Sequence, residues 1–129
     1  MPPVASPCPC GSGLAYAACC EPLHEGAQAE TAEALMRSRF SAFALGLEGY
    51  LLSSWHPSTR PASLGLDPEV VWRRLQLVDT VAGGPGDAEG VVEFRASYRS
   101  PEGEGVLHER SRFVREAGRW VYLEGEQFS

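Results

Sequence analysis

The spacing of apolar residues predicts helices in the first half of the chain. One set recurs every three or four residues and defines a single helix face: Leu35, Met36, Phe40, Phe43 and Leu47. Thr31 is suited to cap the start of this helix, and Gly46 is suited to end it. We predict a second short helix over residues 48–55. A third is predicted over residues 67–74, where an aspartate–proline pair is typical of a helix start.

After residue 74 the apolar period changes to two, which is typical of β-strands. Strands are predicted over residues 75–81, 91–99, 106–115 and 119–124. Glycine-rich turns at 83–87 and 101–105 and a hairpin turn at 116–119 separate them. Helices followed by an antiparallel meander predict an α+β fold in which the helices cover one face of the sheet.

Length and charge narrow the class of protein. A chain of 129 residues is sufficient for one domain with a real core. No apolar run approaches the ~20 residues of a membrane span, and the N-terminus lacks the basic and apolar regions of a secretory signal. We therefore expect a cytoplasmic protein with no membrane partner. The net charge of −6 argues against nucleic-acid binding.

All four cysteines lie in one short segment with the spacing C-x-C-x8-C-C: Cys8, Cys10, Cys19 and Cys20. Two close pairs of thiolates separated by a turn can coordinate zinc tetrahedrally, and Gly11-Ser-Gly13 supplies the turn. We predict one structural Zn²⁺ with a closed ligand shell, in a knuckle that contains a short helix over residues 14–20. A pair of disulfides and a redox dithiol are the alternatives, which a cytosolic setting and the absence of C-x-x-C disfavour.

The cysteine segment resembles a known zinc module. Residues 7–20, with C-P-C-G-S-G, Tyr16 and the adjacent Cys19 and Cys20, are similar to the SEC-C motif, which is also found at the C-terminus of the SecA translocation ATPase. Members that recruit partners carry lysines around the tyrosine, whereas this chain has Leu14-Ala-Tyr-Ala-Ala18. The resemblance therefore implies a zinc site without that basic contact surface.

The remaining chain resembles the YchJ family of bacterial proteins. Three segments carry the likeness: Leu35-Met-Arg-Ser-Arg-Phe-Ser-Ala-Phe43, Tyr50-Leu-Leu-Ser-Ser-Trp-His-Pro57, and Glu109-Arg-Ser-Arg-Phe113 followed by Gly118-Arg-Trp-Val-Tyr122. The resemblance implies a nuclear-transport-factor-two-like cone, in which helices fold against a curved sheet around a pocket. It implies no particular activity. We expect the zinc knuckle at residues 1–24, a linker over residues 21–29 and the cone at residues 30–129.

The predicted strand over residues 106–115 carries a carboxylate that could form part of a binding pocket in the cone. Alternation puts Glu109 and Phe113 on the packed face, so Glu109 is predicted to be a buried carboxylate that pairs with Arg37 or Arg39. This group is either a structural ion pair or part of a binding pocket. The candidate pocket residues are Arg39, Trp55, His56 and Glu109.

Three functions are compatible with these patterns. The first is a non-enzymatic binding or interaction module with a structural zinc and an unidentified protein partner. The second is a small pocket enzyme, a hydrolase or isomerase, that uses His56 and Glu109. The third is metal buffering or redox sensing through the cysteines. The sequence contains no phosphate loop, Ser-His-Asp order or H-E-x-x-H helix, so we favour the first.

Overall fold

A computed structural model describes residues 7–128 of the chain. Residues 1–6 and Ser129 lie outside this range, and with them the prediction that the N-terminus is not a secretory signal. The elements in chain order are a 3₁₀ turn at Tyr16–Ala18, α1 (Glu21–His24), α2 (Ala32–Leu45), α3 (Glu48–Ser53), β1 (Val71–Ala82), β2 (Glu89–Ser100), β3 (Gly103–Glu116) and β4 (Arg119–Phe128). Within residues 7–128, no helix has both the length and the apolarity to span a bilayer.

Helix α2 forms as the sequence predicts. The hydroxyl of Thr31 accepts a hydrogen bond of 3.0 Å from the backbone N–H of Ala34, which is the expected N-cap. Gly46 ends the helix with a φ of 72°, a left-handed conformation that glycine adopts without strain. Helix α3 ends at Ser53, two residues before the predicted end.

The third predicted helix, over residues 67–74, is wrong. The Asp67 carboxylate accepts a hydrogen bond of 2.9 Å from the N–H of Glu69, and the Asp67 carbonyl accepts one of 3.1 Å from Val70, so a single turn forms. Strand β1 then begins at Val71, which pairs with Arg99 of β2. Pairing with β2 therefore overrides the local helix-start signal.

The predicted knuckle helix and linker also differ from the structure. The helix expected over residues 14–20 is only the three-residue 3₁₀ turn at Tyr16–Ala18. The linker expected over residues 21–29 begins with the helical turn α1, in which a proline occupies the start of the helix.

The four strands form one antiparallel sheet in the order β1-β2-β3-β4, so every paired strand is a neighbour along the chain. Helix α2 packs on one face of the sheet. The core includes Leu35, Met36, Phe40, Val92, Phe94, Ala96, Phe113 and Trp120, and it continues into Cys8, Cys10 and Cys20. The cysteine segment is therefore part of the same hydrophobic cluster as the cone.

The start of α2 lies directly against the turn between β1 and β2. The N–H of Ala32 donates a hydrogen bond of 2.9 Å to the carbonyl of Gly83. A Cβ atom on Gly83 would lie 2.8 Å from the Ala32 Cβ, and one on Gly90 would lie 2.6 Å from the Gly83 Cα. The helix and the sheet can approach this closely only because both positions are glycine.

The segment after α3 closes onto β4. Trp55 forms a parallel bridge with Tyr122, and the backbone N–H of His56 donates a hydrogen bond of 2.7 Å to the Tyr122 carbonyl. The indole N–H of Trp120 donates one of 3.2 Å to the carbonyl of Glu30. These contacts fix Trp55 beside α2 and the last strand.

Candidate functional site

The sulfur atoms of the four cysteines converge on one point. All four Sγ atoms lie within 4.8 Å of one another. The Sγ of Cys19 is 3.6 Å from that of Cys10 and 3.9 Å from that of Cys20. A tetrahedron with Zn–S bonds of about 2.3 Å has sulfurs about 3.8 Å apart, whereas a disulfide needs about 2.05 Å. The donor set therefore fits a metal ion with four thiolate ligands.

Protons in the cluster are shared unequally. A hydrogen bond from the Cys20 side chain, and to a smaller extent one from Ser12, lower the pKa of Cys10 to about 4. The same hydrogen bond and burial raise the pKa of Cys20, and burial raises the pKa of Cys8. Metal binding must therefore displace protons from the buried thiols, which makes the affinity pH-dependent.

Hydrogen bonds of Arg37 and His24 attach the knuckle, which we define as residues 7–24, to helix α2, and a further one from Tyr16 orients His24 within the knuckle. Arg37 Nη1 donates a hydrogen bond of 3.0 Å to the carbonyl of Cys10. His24 Nε2 lies 2.8 Å from the Ser38 carbonyl, and His24 Nδ1 lies 2.6 Å from the hydroxyl of Tyr16. Because a carbonyl only accepts, Nε2 carries the hydrogen and Nδ1 accepts from Tyr16. His24 is therefore a structural contact between the knuckle and α2.

A partly open cavity of about 250 Å³ lies between α2 and the sheet. Its lining is mainly apolar and aromatic: Met36, Phe40, Phe43, Trp55, Trp72, Phe94, Ala96, Leu107 and Tyr122, with Arg39, Glu109, Ser111 and Gln127 as the polar members. The structure thus brings together three of the four candidate pocket residues, Arg39, Trp55 and Glu109.

Arg39 is held inside the cavity wall and is only 3% exposed. Its Nη1 donates hydrogen bonds to the Leu51 carbonyl at 2.8 Å and to the Ser54 hydroxyl at 2.6 Å. The guanidinium carbon lies 5.1 Å from the centre of the Trp55 ring and 4.6 Å from that of Tyr122, within cation–π distance. Burial lowers the pKa of Arg39 to about 10, so the side chain is still a cation at neutral pH.

Glu109 is buried on the packed face of β3, as predicted, but its predicted ion pair is wrong. Its Oε2 accepts hydrogen bonds from Ser111 Oγ at 2.5 Å and from the Tyr122 hydroxyl at 3.3 Å. In the described part of the chain it forms no ion pair with Arg37 or Arg39, and Arg37 pairs instead with Glu33 at 3.2 Å. Burial and the nearby Glu109 raise the pKa of Tyr122, so this hydroxyl stays protonated and donates.

Gly125 of β4 is a site residue that the sequence analysis missed. A Cβ atom at this position would lie 2.1 Å from Glu109 Oε2, so the carboxylate occupies the space that any other side chain would fill. Gly125 pairs across the sheet with Ser111, and Gln127 pairs with Glu109. An isolated glycine within a strand pattern is the sequence signal for such a close approach.

His56, the fourth candidate, lies outside the cavity lining. Its Nδ1 accepts a hydrogen bond of 3.0 Å from the backbone N–H of Ser58, and its Nε2 lies 3.3 Å from the Glu116 carboxylate. Both nitrogens of the imidazole therefore make contacts away from the cavity. The residues that line the cavity with Glu109 include no histidine.

The other face of the sheet, which we call the outer face, carries paired charges. His108 Nε2 donates a hydrogen bond of 2.7 Å to Glu93, and Arg110 forms ion pairs with Glu93 at 3.0 Å and Asp79 at 3.3 Å. Arg112 pairs with Glu124. His108, Arg110 and Arg112 are therefore each matched by a carboxylate on this face.

Comparisons with known proteins agree on both parts of the chain. Residues 31–125 match the family profile described as YchJ, middle NTF2-like domain, and residues 6–22 match the SEC-C motif. A UPF0225 protein of Streptomyces coelicolor is 54% identical over 121 residues, which are 93% of this chain and 94% of the relative. A UPF0225 protein of Chromobacterium violaceum is 52% identical over 122 residues, with 92% and 90% coverage.

Two solved structures share the fold. The solution structure of a SEC-C motif containing protein from Rhodopseudomonas palustris is 35% identical, with a TM-score of 0.80 over 95% of this chain and 98% of that one. The crystal structure of a SEC-C motif containing protein from Psychrobacter arcticus is 30% identical, with a TM-score of 0.75 over 91% and 80%. The predicted α+β cone with an N-terminal cysteine knuckle is confirmed.

Proposed function

Because the chain belongs to the YchJ family and carries a SEC-C motif, we propose that it is a cytosolic, non-enzymatic binding protein. One structural zinc ion holds the knuckle, and the cavity of the cone is the recognition site. The observation that carries this proposal is the cavity itself, where apolar walls surround a buried arginine and a buried carboxyl group. Apolar pockets with a few convergent polar groups are typical of ligand sites.

The geometry of the cysteines supports a structural role for the metal. Four thiolates complete a tetrahedral shell, so no position is left for water or substrate. Three of the four cysteines are buried in the core next to α2. Clustered thiols that are not disulfide-bonded also suit a reducing compartment, which supports the cytosolic setting.

Metal analysis tests the zinc proposal. Protein purified under reducing conditions should contain about one zinc per chain, and Cys19→Ser should lower both the zinc content and the melting temperature. Ser53→Ala, at an exposed position on α3, is the matched control and should change neither. Purified protein that is folded and free of zinc would overturn the proposal.

The three tryptophans provide a direct test of recognition by the cavity. Trp55 and Trp72 line it, whereas Trp120 is buried outside the lining. A small molecule that occupies the cavity should therefore shift the indole N–H signals of Trp55 and Trp72 in a ¹⁵N NMR spectrum and leave that of Trp120 in place. A fragment screen in which no compound produces this pattern would argue against a recognition role.

A protein partner, where there is one, is expected on the cone. The knuckle surface around Tyr16 has no lysine, and Arg110 and Arg112 of the outer face are paired with carboxylates. With a net charge of −6, the protein is not expected to bind nucleic acid. Crosslinking and pull-down in the native cell, comparing the wild type with a variant lacking all four cysteines, would separate partners of the cone from partners of the knuckle.

The alternative is a small pocket enzyme of the hydrolase or isomerase type. The Glu109 carboxyl group in the cavity favours it, since a buried carboxylate can act as a base. The position of His56 disfavours it, because the expected proton carrier faces Glu116 instead. Mass spectrometry of a bound ligand after prolonged incubation separates the two: recovery of unchanged ligand supports binding, and conversion to a product supports catalysis.

A further inference from the structure

The guanidinium of Arg39 uses only part of its hydrogen-bonding capacity within the protein. An arginine has five N–H donors, and both hydrogen bonds of Arg39 to other described residues come from Nη1. Across residues 7–128, no side-chain nitrogen or oxygen that is sealed from solvent lacks a partner. Nε and Nη2 form no hydrogen bond in this range, so they are open to solvent-filled space, and we assign that space to the cavity that Arg39 lines.

The same reasoning applies to Glu109. Both of its hydrogen bonds to described residues, from Ser111 and Tyr122, end on Oε2. Oε1 accepts none in that range, and it too is not a sealed atom without a partner. The cavity therefore presents a hydrogen-bond donor edge from Arg39 and a single acceptor from Glu109.

Size and wall chemistry restrict what can satisfy both groups. A volume of 250 Å³ corresponds to about eight water molecules at roughly 30 Å³ each, or a ligand on the order of ten non-hydrogen atoms. Phe43, Trp72 and Phe94 supply apolar and aromatic surface against which a hydrocarbon or ring can pack.

We propose that the cavity binds a small α-amino or α-hydroxy acid with an apolar, preferably aromatic, side chain. The ligand carboxylate accepts two hydrogen bonds from the Nε and Nη2 edge of Arg39, the planar geometry in which arginine pairs best with carboxylates. The α-ammonium or α-hydroxyl group donates to Glu109 Oε1. The side chain packs on the aromatic wall.

Simpler ligands leave one polar group unmatched. A carboxylate without an α-donor places its negative charge near Glu109 with no hydrogen between them. An amine without a carboxylate leaves the donor edge of Arg39 without an acceptor. Buried polar groups that lose solvent without gaining a partner weaken binding, so the ligand class follows from satisfying both groups at once.

The inference rests on the proposed recognition role of the cavity, and titration of the full-length, zinc-loaded protein tests both. The probes are L-phenylalanine, L-3-phenyllactate, phenylacetate, phenethylamine and benzyl alcohol, read at the indole signals of Trp55 and Trp72. One or both of the first two should bind about tenfold or more tightly than phenylacetate and phenethylamine. Whichever of L-phenylalanine and L-3-phenyllactate binds more tightly shows whether the preferred α-group is an ammonium or a hydroxyl.

Substitutions of Arg39 and Glu109 test whether these residues make the proposed contacts with the ligand. Arg39→Lys keeps the positive charge but removes the planar donor edge, and should weaken the α-substituted acids by about tenfold. Glu109→Gln should reduce their advantage over phenylacetate. Arg112→Gln on the outer face is the control and should leave all affinities unchanged. If a cavity variant does not fold, judged by the Trp120 signal and the melting temperature, the ranking of the five probes on the wild type decides.

The outcomes separate the two proposals. If benzyl alcohol or phenethylamine shifts Trp55 and Trp72 as strongly as the acids do, the ligand class is overturned and the recognition role of the cavity stands. If affinity for the acids is unaffected in a folded Arg39→Lys protein, the assigned contact is wrong. If no probe shifts either indole up to its solubility limit, the inference fails together with the recognition role.

Discussion

The cysteine cluster and the cone cavity both bury polar groups against helix α2. They differ in how many of those groups find partners within the protein. In the cluster, four sulfurs within 4.8 Å of one another face a common centre, and the nearby carbonyl of Cys10 is bonded to Arg37. In the cavity, Arg39 and Glu109 are bonded to the protein through one atom each. The four sulfurs of the cluster could complete the shell of one metal ion, whereas the cavity is an incomplete set of donors and acceptors.

This difference suggests that the cluster contributes mainly to the stability of the fold and the cavity mainly to ligand recognition. A closed ligand set contributes to folding and has little left to offer a partner. An incomplete set inside apolar walls costs stability until a ligand supplies the missing partners. We therefore expect loss of a cysteine to act on folding, and changes to the polar groups of the cavity that do not crowd its wall to act mainly on binding. Four changes to the protein, in order of decreasing effect on stability, test how far each region supports the fold.

Loss of a buried metal ligand should have the largest effect. Cys10 is fully buried, so Cys10→Ser is expected to reduce zinc content and to lower the free energy of unfolding by more than about 3 kcal/mol. Urea denaturation with and without a chelator measures this. Ser12→Ala keeps all four sulfurs and removes the contact of the hydroxyl to Cys19 Sγ at 3.1 Å and its exposed hydrogen bond of 3.2 Å from the Leu14 N–H, so it should cost about 1 kcal/mol or less. A wild type equally stable with and without chelator would contradict the role of the cluster in folding.

A side chain at position 125 should have the next largest effect. In Gly125→Ala the new Cβ must displace the Glu109 carboxylate, which is expected to cost about 1–3 kcal/mol of unfolding free energy. In a double-mutant cycle, the same substitution should cost less once Glu109→Ala has removed the obstructing atoms. Gly49→Ala in α3 is the control, because nothing lies within 4 Å of its Cβ, and helix propensity should make it stabilising by about 0.5–1 kcal/mol. Equal costs in both backgrounds would show that the carboxylate does not occupy this space.

Release of the knuckle from α2 should have a smaller effect. Arg37→Ala removes the donor to the Cys10 carbonyl and is expected to lower the unfolding free energy by about 1–2 kcal/mol. Glu33→Gln disrupts only the exposed ion pair to the same arginine and should cost about 0.5 kcal/mol or less. Thermal melts of the three proteins measure both effects. Similar losses of stability in the two variants would mean that the contribution of Arg37 comes from its ion pair with Glu33 and not from its hydrogen bond to the Cys10 carbonyl.

The smallest effect concerns the outer face. A hydrogen bond from His108 lowers the pKa of Glu93 below its ordinary value of 4.5. A carboxyl group with a lower pKa in the folded than in the unfolded state stabilises the fold above about pH 4.5 and loses this contribution as the pH falls through its folded pKa. Melting temperatures of the wild type should therefore fall more steeply than those of Glu93→Gln on acidification below pH 4.5. Parallel curves would show that the hydrogen bond between His108 and Glu93 contributes nothing measurable to stability.

The sequence predicted the cysteine cluster well because its information is local. All four cysteines and the intervening turn lie within thirteen residues, so their spacing was sufficient to predict that the sulfurs cluster. Helix α2 was predicted for the same reason, since Thr31 and Gly46 mark its ends by short-range hydrogen bonds and backbone conformation. The segment at residues 67–74 shows the limit: Asp67 makes the expected local turn, but pairing with β2 makes the residues from Val71 onward a strand.

The cavity was predictable only in outline because its members come from distant parts of the chain. Alternation correctly placed Glu109 on the packed face, yet it did not identify the hydroxyl of Tyr122 as the hydrogen-bond donor in place of an arginine. That depends on the pairing of β3 with β4, including its irregularity between Arg112 and Phe113. Ser111 was accessible to sequence reasoning, since a residue two positions along a strand shares its face.

The contacts that attach the segment after α3, and Glu30 before α2, to β4 have a kinetic consequence. Each strand pairs with its neighbour in the chain, so the sheet can grow from hairpins with short loops. The hydrogen bond from Trp120 to Glu30 joins residues 90 positions apart, and closing so long a loop carries a larger entropic cost. We expect the sheet to form in the folding transition state and the wall containing Trp55 and Tyr122 to assemble after it. Trp55→Ala, which removes the edge-to-face contact of Trp55 with the Tyr122 ring, should then accelerate unfolding and leave the folding rate almost unchanged in stopped-flow experiments, whereas equal changes in both rates would place that wall within the folding nucleus.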